Sequence, residues 1–469
     1  MSRIWLLINI WGMLMLLPAG TTAQYKQLGE ADFIAIVKTF HPVSRQAAIA
    51  VQRADANITL AKAGFDPALY LTSEQKTLDG KNYYTHTNPE LKIPAWYGIE
   101  VKAGLENNGG QYLSTELTEG KTSYIGLSVP VAKNLLMDKR RAALQQAKLL
   151  KNQTEAEQRL VINNLLFEAY NHYWSWVQAY RVYQIISNAV SVNRQRFELV
   201  KIGFRQGDRP AIDTVEALAQ LQNFEYLLSE SNVQLQNAAV QLSEFLWLPD
   251  NTYYQLPADV QPTVLPASLP NLPLLMLEDL LYTARLTHPK LQSFSYKLDI
   301  LEVERKLKFQ SLLPTVNVKA YLLNKGYDNM FNGIGKAAFY ENNNKFGIDV
   351  GLPLRLSEGR GAYRMAKLKI EETNYELSVQ QQAIENKIRM YYNELLGLQQ
   401  QVASYLSVTA NYQALLRGEE TRFKAGESSL FLLNSRENKV LEAQQKLTAL
   451  TAKYFKTLQA VQWAAGQLK

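Results

Sequence analysis

Histidine, cysteine and clustered carboxylates are where chemistry would show first. The 469-residue chain has four histidines, His41, His86, His172 and His288, and no cysteine. A structural zinc site needs ligands repeated at short spacing, and no second histidine stands near any of the four. His41 and His288 each precede a proline, Pro42 and Pro289, where a polar residue beside a helix start is ordinary. His86 lies in a Tyr/Thr/Asn-rich stretch read as a loop, and His172 lies among aromatics on a long helix. Thiol catalysis and thiolate metal sites are excluded without cysteine. The acidic pairs Glu371-Glu372 and Glu419-Glu420 are adjacent on helices and point apart, as solvated faces do. Gly109-Gly110 and Gly359-Arg360-Gly361 read as turns, and neither a phosphate-cradling loop nor a nucleophile elbow is present. The reading is therefore of a chain that is no enzyme and needs no cofactor or metal. Its net charge is +7 with the signs interspersed. Without a long basic block carrying aromatics, nucleic acid is not an expected partner.

Attention then moves to the elements. Arg3 is the lone charge before the apolar run 4–17, and Thr21 and Ala23 suit a cleavage site. Residues 1–23 read as a secretory signal, with a mature chain from about Gln24. The alternative is a membrane anchor, but about 14 apolar residues fall short of the roughly 20 a helical span needs. No later run is apolar enough for such a helix.

The chain repeats itself. Asp32, His41-Pro42 and Pro67 recur as Asp279, His288-Pro289 and Pro314, all at an offset of 247. Farther on the offset becomes 219: Ala147-Lys148 matches Ala366-Lys367, and Phe204 and Gly207 match Phe423 and Gly426. At the same offset the heptad series Leu221, Leu228, Leu235, Leu242 matches Val440, Leu447, Tyr454, Val461. A constant offset means no insertions, as continuous helix requires, because one added residue rotates every later side chain by about 100°. The fall in offset places extra residues in the first copy between Pro67 and Ala147. This gives a first repeat at 24–248, with strands about 67–131 and long helices about 139–247. A proline-rich linker follows at 249–275. The second repeat is 276–469, with strands about 314–356 and long helices about 360–465.

In the first repeat, 43–64 reads as a helix opened by Pro42. A second helix covers 139–203, without internal proline or glycine. A third covers 211–247, with a coiled-coil seam. The second helix, at ~95 Å, matches the other two placed end to end at ~90 Å. The strand-like runs alternate at period two. Tyr97, Ile99, Val101, Ala103 and Leu105 form one, and Ile125, Leu127, Val129 and Val131 another. The second repeat gives Val316, Val318, Ala320 and Leu322, then Phe346, Ile348, Val350, Leu352 and Leu354. Apolar and polar faces on segments near ten residues suit a barrel with lipid outside and water inside. A half-buried soluble sheet shows the same alternation. Trp96, Tyr97, Tyr124, Tyr321 and Phe346 would suit an interfacial girdle. The two copies supply at least four main strands, still too few to close a membrane barrel, so the membrane reading requires oligomers, and three chains would supply twelve strands. The run 97–105 has no assigned place in that count; pairing with part of 111–117, or a position outside the barrel, are its two options.

The layout resembles the TolC-like outer-membrane efflux protein family. The resemblance rests on the doubled helix–strand–strand–helix–turn–helix order and on Pro67 and Pro314 at the strand starts. It rests also on the strand ends Leu127-Ser128-Val129-Pro130-Val131 and Gly351-Leu352-Pro353-Leu354, and on the turns Phe204-Arg205-Gln206-Gly207 and Phe423-Lys424-Ala425-Gly426. It implies a mainly α chain with a transmembrane β-barrel part: a homotrimer with a twelve-stranded barrel in outer-membrane lipid and a long periplasmic α-helical barrel. It further implies a passive duct whose tunnel tip meets a periplasmic adaptor, or membrane fusion protein, serving an inner-membrane RND or ABC-type pump.

By the same resemblance the helical turns form a periplasmic aperture. Phe204, Gly207, Phe423 and Gly426 are then adaptor-facing turn residues; Phe204 and Phe423 read equally well as plain helix-end packing. The family's acidic aperture positions, six and nine residues after the turn glycine, carry Leu432 and Ser435 in the second copy, with Asn434 between them. The first copy carries Asp213 and Glu216 there. These five residues are the candidate aperture, with an acidic ring on the second hairpin in doubt. The competing reading is a secreted periplasmic coiled-coil scaffold without a pore.

Overall fold

A computed structural model describes residues 27–263, 269, 277–327 and 342–469. The expected signal at 1–23 lies outside them, as does part of the segment 249–275. In chain order the elements are β1 (Gln27–Leu28), α1 (Glu30–Phe40), α2 (Pro42–Lys62), β2 (Ala68–Leu78), β3 (Lys81–Pro94), β4 (Glu100–Gly109) and β5 (Gly120–Pro130). Next come α3 (Lys139–Gln206), α4 (Ala211–Ser243), β6 (Gln261–Pro262), α5 (Leu277–Thr287) and α6 (Pro289–Phe309). Last are β7 (Thr315–Lys325), β8 (Asn344–Gly351), α7 (Ser357–Lys424) and α8 (Leu430–Ala464).

The order of two helices, strands, a 68-residue helix and a shorter helix occurs twice. Pro42 and Pro289 open α2 and α6, where the missing N–H costs nothing. The chain divides into two compact units. One comprises Met1–His41, Ala169–Pro270 and Leu398–Lys456; the other comprises Pro42–Glu168, Asn271–Gly397 and Thr457–Lys469.

In the first unit the helices bury the heptad positions read from sequence. Leu221 and Phe224 pack with Ile186, Val190 and Leu441. Val200, Ala217, Leu430 and Leu433 form a second cluster, flanked by Phe197, Leu416 and Phe423. An aromatic set adds to this: Phe33 stacks on Tyr173 at 5.6 Å and Trp174 on Phe455 at 4.2 Å. His172 belongs to it, 5.1 Å from the Phe245 ring. Arg196 and Glu437 form a largely buried ion pair at 2.6 Å. The short strands β1 and β6 pair in parallel.

The second unit holds a helical core of Leu280, Leu281, Ala284, Leu291, Ile384, Ile388, Val461, Ala464 and Ala465. Glu385 accepts two hydrogen bonds from Arg285, at 2.7 and 3.0 Å. His288 caps α6, its Nδ1 accepting the Lys290 backbone N–H at 3.1 Å. The same unit carries the sheet. Among the described residues it has six strands in the order β2-β3-β4-β5-β7-β8, and every neighbouring pair is antiparallel. The two repeats meet within it, where β5 pairs with β7.

Four sequence expectations need correction. The run 97–105 does not pair with 111–117; its strand, β4, starts at Glu100 and lies between β3 and β5. His86 is on a strand, not in a loop. The extra residues of the first repeat form a hairpin, β2–β3, so the chain has more than the four main strands counted. That hairpin alternates weakly, because Ser73, Gln75, Thr85 and Thr87 are polar on the face where other strands are apolar. Pro89 also interrupts the ladder from β3 to β4, since proline has no N–H to give. Finally, α3 runs through Gly203 to Gln206, and α4 ends at Ser243 rather than near 247.

Candidate functional site

The first candidate surface is the sheet. Directly paired residues share a face, so the register sorts its side chains. One face carries Leu69 and Leu71 on β2, Leu91 and Ile93 on β3, and Val101, Ala103 and Leu105 on β4. It continues through Ile125, Leu127 and Val129 on β5, Val316, Val318, Ala320 and Leu322 on β7, and Phe346, Ile348 and Val350 on β8. The face is most exposed on its outer strands, with Leu71 at 71%, Phe346 at 65% and Val350 at 69%, and half-exposed at Val101, Ala103, Leu105, Val129, Val316 and Val318.

The opposite face is polar, half-buried across β3, β4, β5 and β7 and exposed on the edge strands β2 and β8. Lys92 meets Glu100 at 3.0 Å and Lys102 meets Glu90 at 3.6 Å. Tyr124 donates to Glu90 at 2.7 Å and accepts from Asn88 at 3.2 Å. His86 and Asn108 share a hydrogen bond at 2.6 Å, and Lys319 pairs with Asp349. Asn108 is only 3% exposed. Apolar residues outward with paired polar residues inward inverts the rule for a sheet in water and matches a wall between lipid and a wet lumen.

The second candidate surface is the pair of helical turns. After α3 the turn is closed by Gly207, whose N–H reaches the Phe204 carbonyl at 3.1 Å; after α7, Gly426 does the same with Phe423 at 3.2 Å. Both glycines have positive φ, +83° and +77°, the left-handed conformation that a helix-ending glycine adopts without strain. Phe204 is exposed, whereas Phe423 is half-buried against the Val200–Leu433 cluster. The two rings named together from sequence thus have different surroundings.

The five candidate aperture residues also separate. Asp213 is held by Arg209 at 3.4 Å. Glu216 accepts a hydrogen bond from Asn434 at 3.1 Å, which joins the two hairpins. Leu432 and Ser435 are exposed. Sequence reasoning missed Arg209, whose guanidinium lies 4.0 Å from the Phe423 ring centroid. Arg209 was visible only as part of a helix break. It missed Glu419 as well, read as a solvated carboxylate but buried and hydrogen-bonded by Ser428. Ser428 is the second-copy equivalent of Arg209, so the two turns are fastened by different chemistry at one repeat position. Among the described residues no group of acidic, histidine or cysteine side chains is arranged to hold a metal. No described helix is long and apolar enough to cross a membrane.

The sequence model of the outer membrane efflux protein family matches residues 280–467. Over that stretch the chain resembles the outer membrane efflux proteins. Solved structures carry the likeness in fold over nearly its whole length. The Campylobacter jejuni CmeC outer membrane channel is 14% identical, with a TM-score of 0.63 over 94% of this chain and 86% of that one. The outer membrane protein VceC of Vibrio cholerae is 15% identical, with a TM-score of 0.63 over 94% and 97%. The open state of the Neisseria gonorrhoeae MtrE outer membrane channel is 13% identical, with a TM-score of 0.66 over 96% and 94%. At such identities the structural likeness establishes the fold alone. Among curated protein sequences, none matches the chain.

Proposed function

We propose that the chain is an outer-membrane exit duct, a passive conduit gated at its helical turns and driven by an inner-membrane pump of the RND or ABC type. The observation that carries this is the inverted sheet, whose exposed face is apolar and whose inner face holds Lys92–Glu100, Lys102–Glu90 and the Tyr124–Glu90 hydrogen bond. Four of its six strands, β2, β4, β5 and β7, are 10 or 11 residues long, the length a tilted β-span needs, about 9–11 residues. A sheet with two free edges cannot persist in lipid, because unpaired backbone groups there cost several kcal/mol each. The edges must therefore meet other copies, and a homotrimer closes the barrel. The twelve-stranded form implied by the resemblance takes two strands from each repeat, whereas the first repeat of this chain has four described strands in the sheet.

The repeats at 24–248 and 276–469, joined by the 249–275 linker, would then each supply strands to the wall and long helices to a periplasmic barrel. The turns around Gly207 and Gly426 meet a periplasmic adaptor, and Asp213, Glu216, Leu432, Asn434 and Ser435 surround the aperture.

Membrane fractionation tests this reading. The mature chain should leave the outer membrane only with detergent and should migrate as a trimer. A monomer released by salt alone would instead fit a periplasmic coiled-coil scaffold.

A further inference from the structure

The β2–β3 hairpin exceeds what the repeat requires, since the second repeat has only β7 and β8 between its corresponding helices. It could hang beside the barrel or belong to its wall. Three observations separate these options. Its strands continue the antiparallel alternation from β2 through β8, so the hairpin occupies the edge where a neighbouring copy would otherwise pair with β4. Its apolar residues fall in the same band as those of the other strands: Leu69 pairs with Leu91, Leu91 with Ala103, Ala103 with Ile125, and Ile125 with Leu322. Its inner face is wired to the inner face of the rest, through Glu90 to Lys102 and Tyr124 and through His86 to Asn108. A hairpin outside the wall would have no reason to align a lipid-facing band on one side and share a buried polar network on the other.

We infer that each chain contributes six strands to the barrel, with Leu69, Leu71, Leu91 and Ile93 against outer-membrane acyl chains and with β2 pairing the β8 of a neighbouring copy. The inference rests on the membrane reading proposed above. Three copies of the six described strands make eighteen, an even number in which neighbours alternate in direction. In an alternating six-stranded sheet β2 and β8 run oppositely, so they meet antiparallel at each junction. Barrel diameter grows roughly linearly with strand number, so the lumen would be about half as wide again as a twelve-stranded one. A duct of that bore fits bulkier cargo than the narrower form would pass.

The native absence of cysteine permits a direct test. Leu71→Cys, Leu127→Cys and Ile348→Cys variants, each labelled with bimane, are reconstituted as trimers in phosphatidylcholine vesicles with and without brominated acyl chains. Six strands in the wall predict that the label at position 71 is quenched as strongly as those at 127 and 348. Quenching at 127 and 348 with none at 71 would overturn the hairpin's place while leaving the membrane reading intact. No quenching at any of the three would sink the membrane reading and the inference with it. In a second arm, cysteines at 71 or 103 are each combined with one at 346, 348 or 350 in cells. Covalent trimers from a β2–β8 pair support six strands; covalent trimers from a β4–β8 pair, with none from β2, overturn it.

Discussion

Arg209 lies over the ring of Phe423 at 4.0 Å while holding Asp213 at 3.4 Å. One side chain thus links the turn after the first long helix to the turn after the second, and neutralises a carboxylate on the way. A planar guanidinium can do both; a lysine ammonium replaces it poorly. Cation–π contacts contribute about 0.5–1 kcal/mol at exposed sites and more when desolvated. Arg209→Ala should loosen the two turns and raise the open probability in planar bilayers, with Arg209→Lys only partly restoring the closed state. Identical gating in all three proteins would remove Arg209 from the mechanism.

On the exit-duct reading, the carboxylates behind it are the ones to test for charge preference. Asp213→Asn combined with Glu216→Gln should lower the preference for cations over anions in reversal-potential measurements. Unchanged single-channel currents would rule these residues out of the narrowest passage. Because Glu216 also accepts from Asn434, Asn434→Ala alone should have a smaller effect of the same kind as loosening the hairpins.

The tips should touch the adaptor. Cysteines are better placed at Asp208 and Glu427 than at the neighbouring glycines, whose positive φ disfavours any side chain by about 1 kcal/mol. Asp208→Cys or Glu427→Cys with a short bifunctional crosslinker in cells should capture a periplasmic protein of adaptor type. Capture of neighbouring copies alone would move the adaptor contact elsewhere.

In the Arg196–Glu437 pair the carboxylate is buried and the guanidinium is largely shielded from water. Removing one partner strands the other charge, which typically costs about 3–5 kcal/mol. Arg196→Ala or Glu437→Ala should lower the thermal midpoint in detergent followed by circular dichroism. The double change Arg196→Met/Glu437→Leu should recover most of it. Additive losses in the double variant would contradict this account of the pair.

His288 gives the helical core a pH dependence. Burial, then Lys387 and Lys290, push its imidazole down to about 4, and its neutral Nδ1 accepts the Lys290 N–H. Its folded value is below the unfolded one, near 6.5, so its contribution is complete above about 6.5 and is lost as pH falls toward 4. His288→Asn keeps a capping acceptor and removes the titration. Its thermal midpoint should fall less than that of the unmodified protein between pH 7 and 4; parallel curves would refute the assignment.

The helices were legible because their constraint is local and repeated. The uninterrupted run before Gly203 and the constant offset between Leu221 and Val440 leave little else possible. The strands at Ile125 and Val316 were legible for the same reason, at period two. The β2–β3 hairpin was not, because only Leu69, Leu71, Leu91 and Ile93 carry its apolar band, and Thr87, His86 and Pro89 read as loop. Its place in the sheet is set by neighbours that sequence spacing does not name. The tip residues were found through the repeat, but the repeat reports equivalence, not proximity. Asp213 and Leu432 match as repeat positions, whereas Glu216 finds Asn434, which is no match for it. Arg209 escaped notice because its partner, Phe423, comes from the other repeat.

The seam between β5 and β7 carries a consequence for how the chain assembles. Ile125 and Leu322 are roughly two hundred residues apart, and pairings so distant are slow to form because a long loop must close first. The first repeat can pair β2 to β5 among themselves, but β5 must wait, with one edge unpaired, until β7 of the second repeat has been made. During that interval an apolar face stands beside an open strand edge, a combination prone to aggregation. On the exit-duct reading, the half-made sheet with its open β5 edge is the part of the chain that a periplasmic escort would need to hold before insertion.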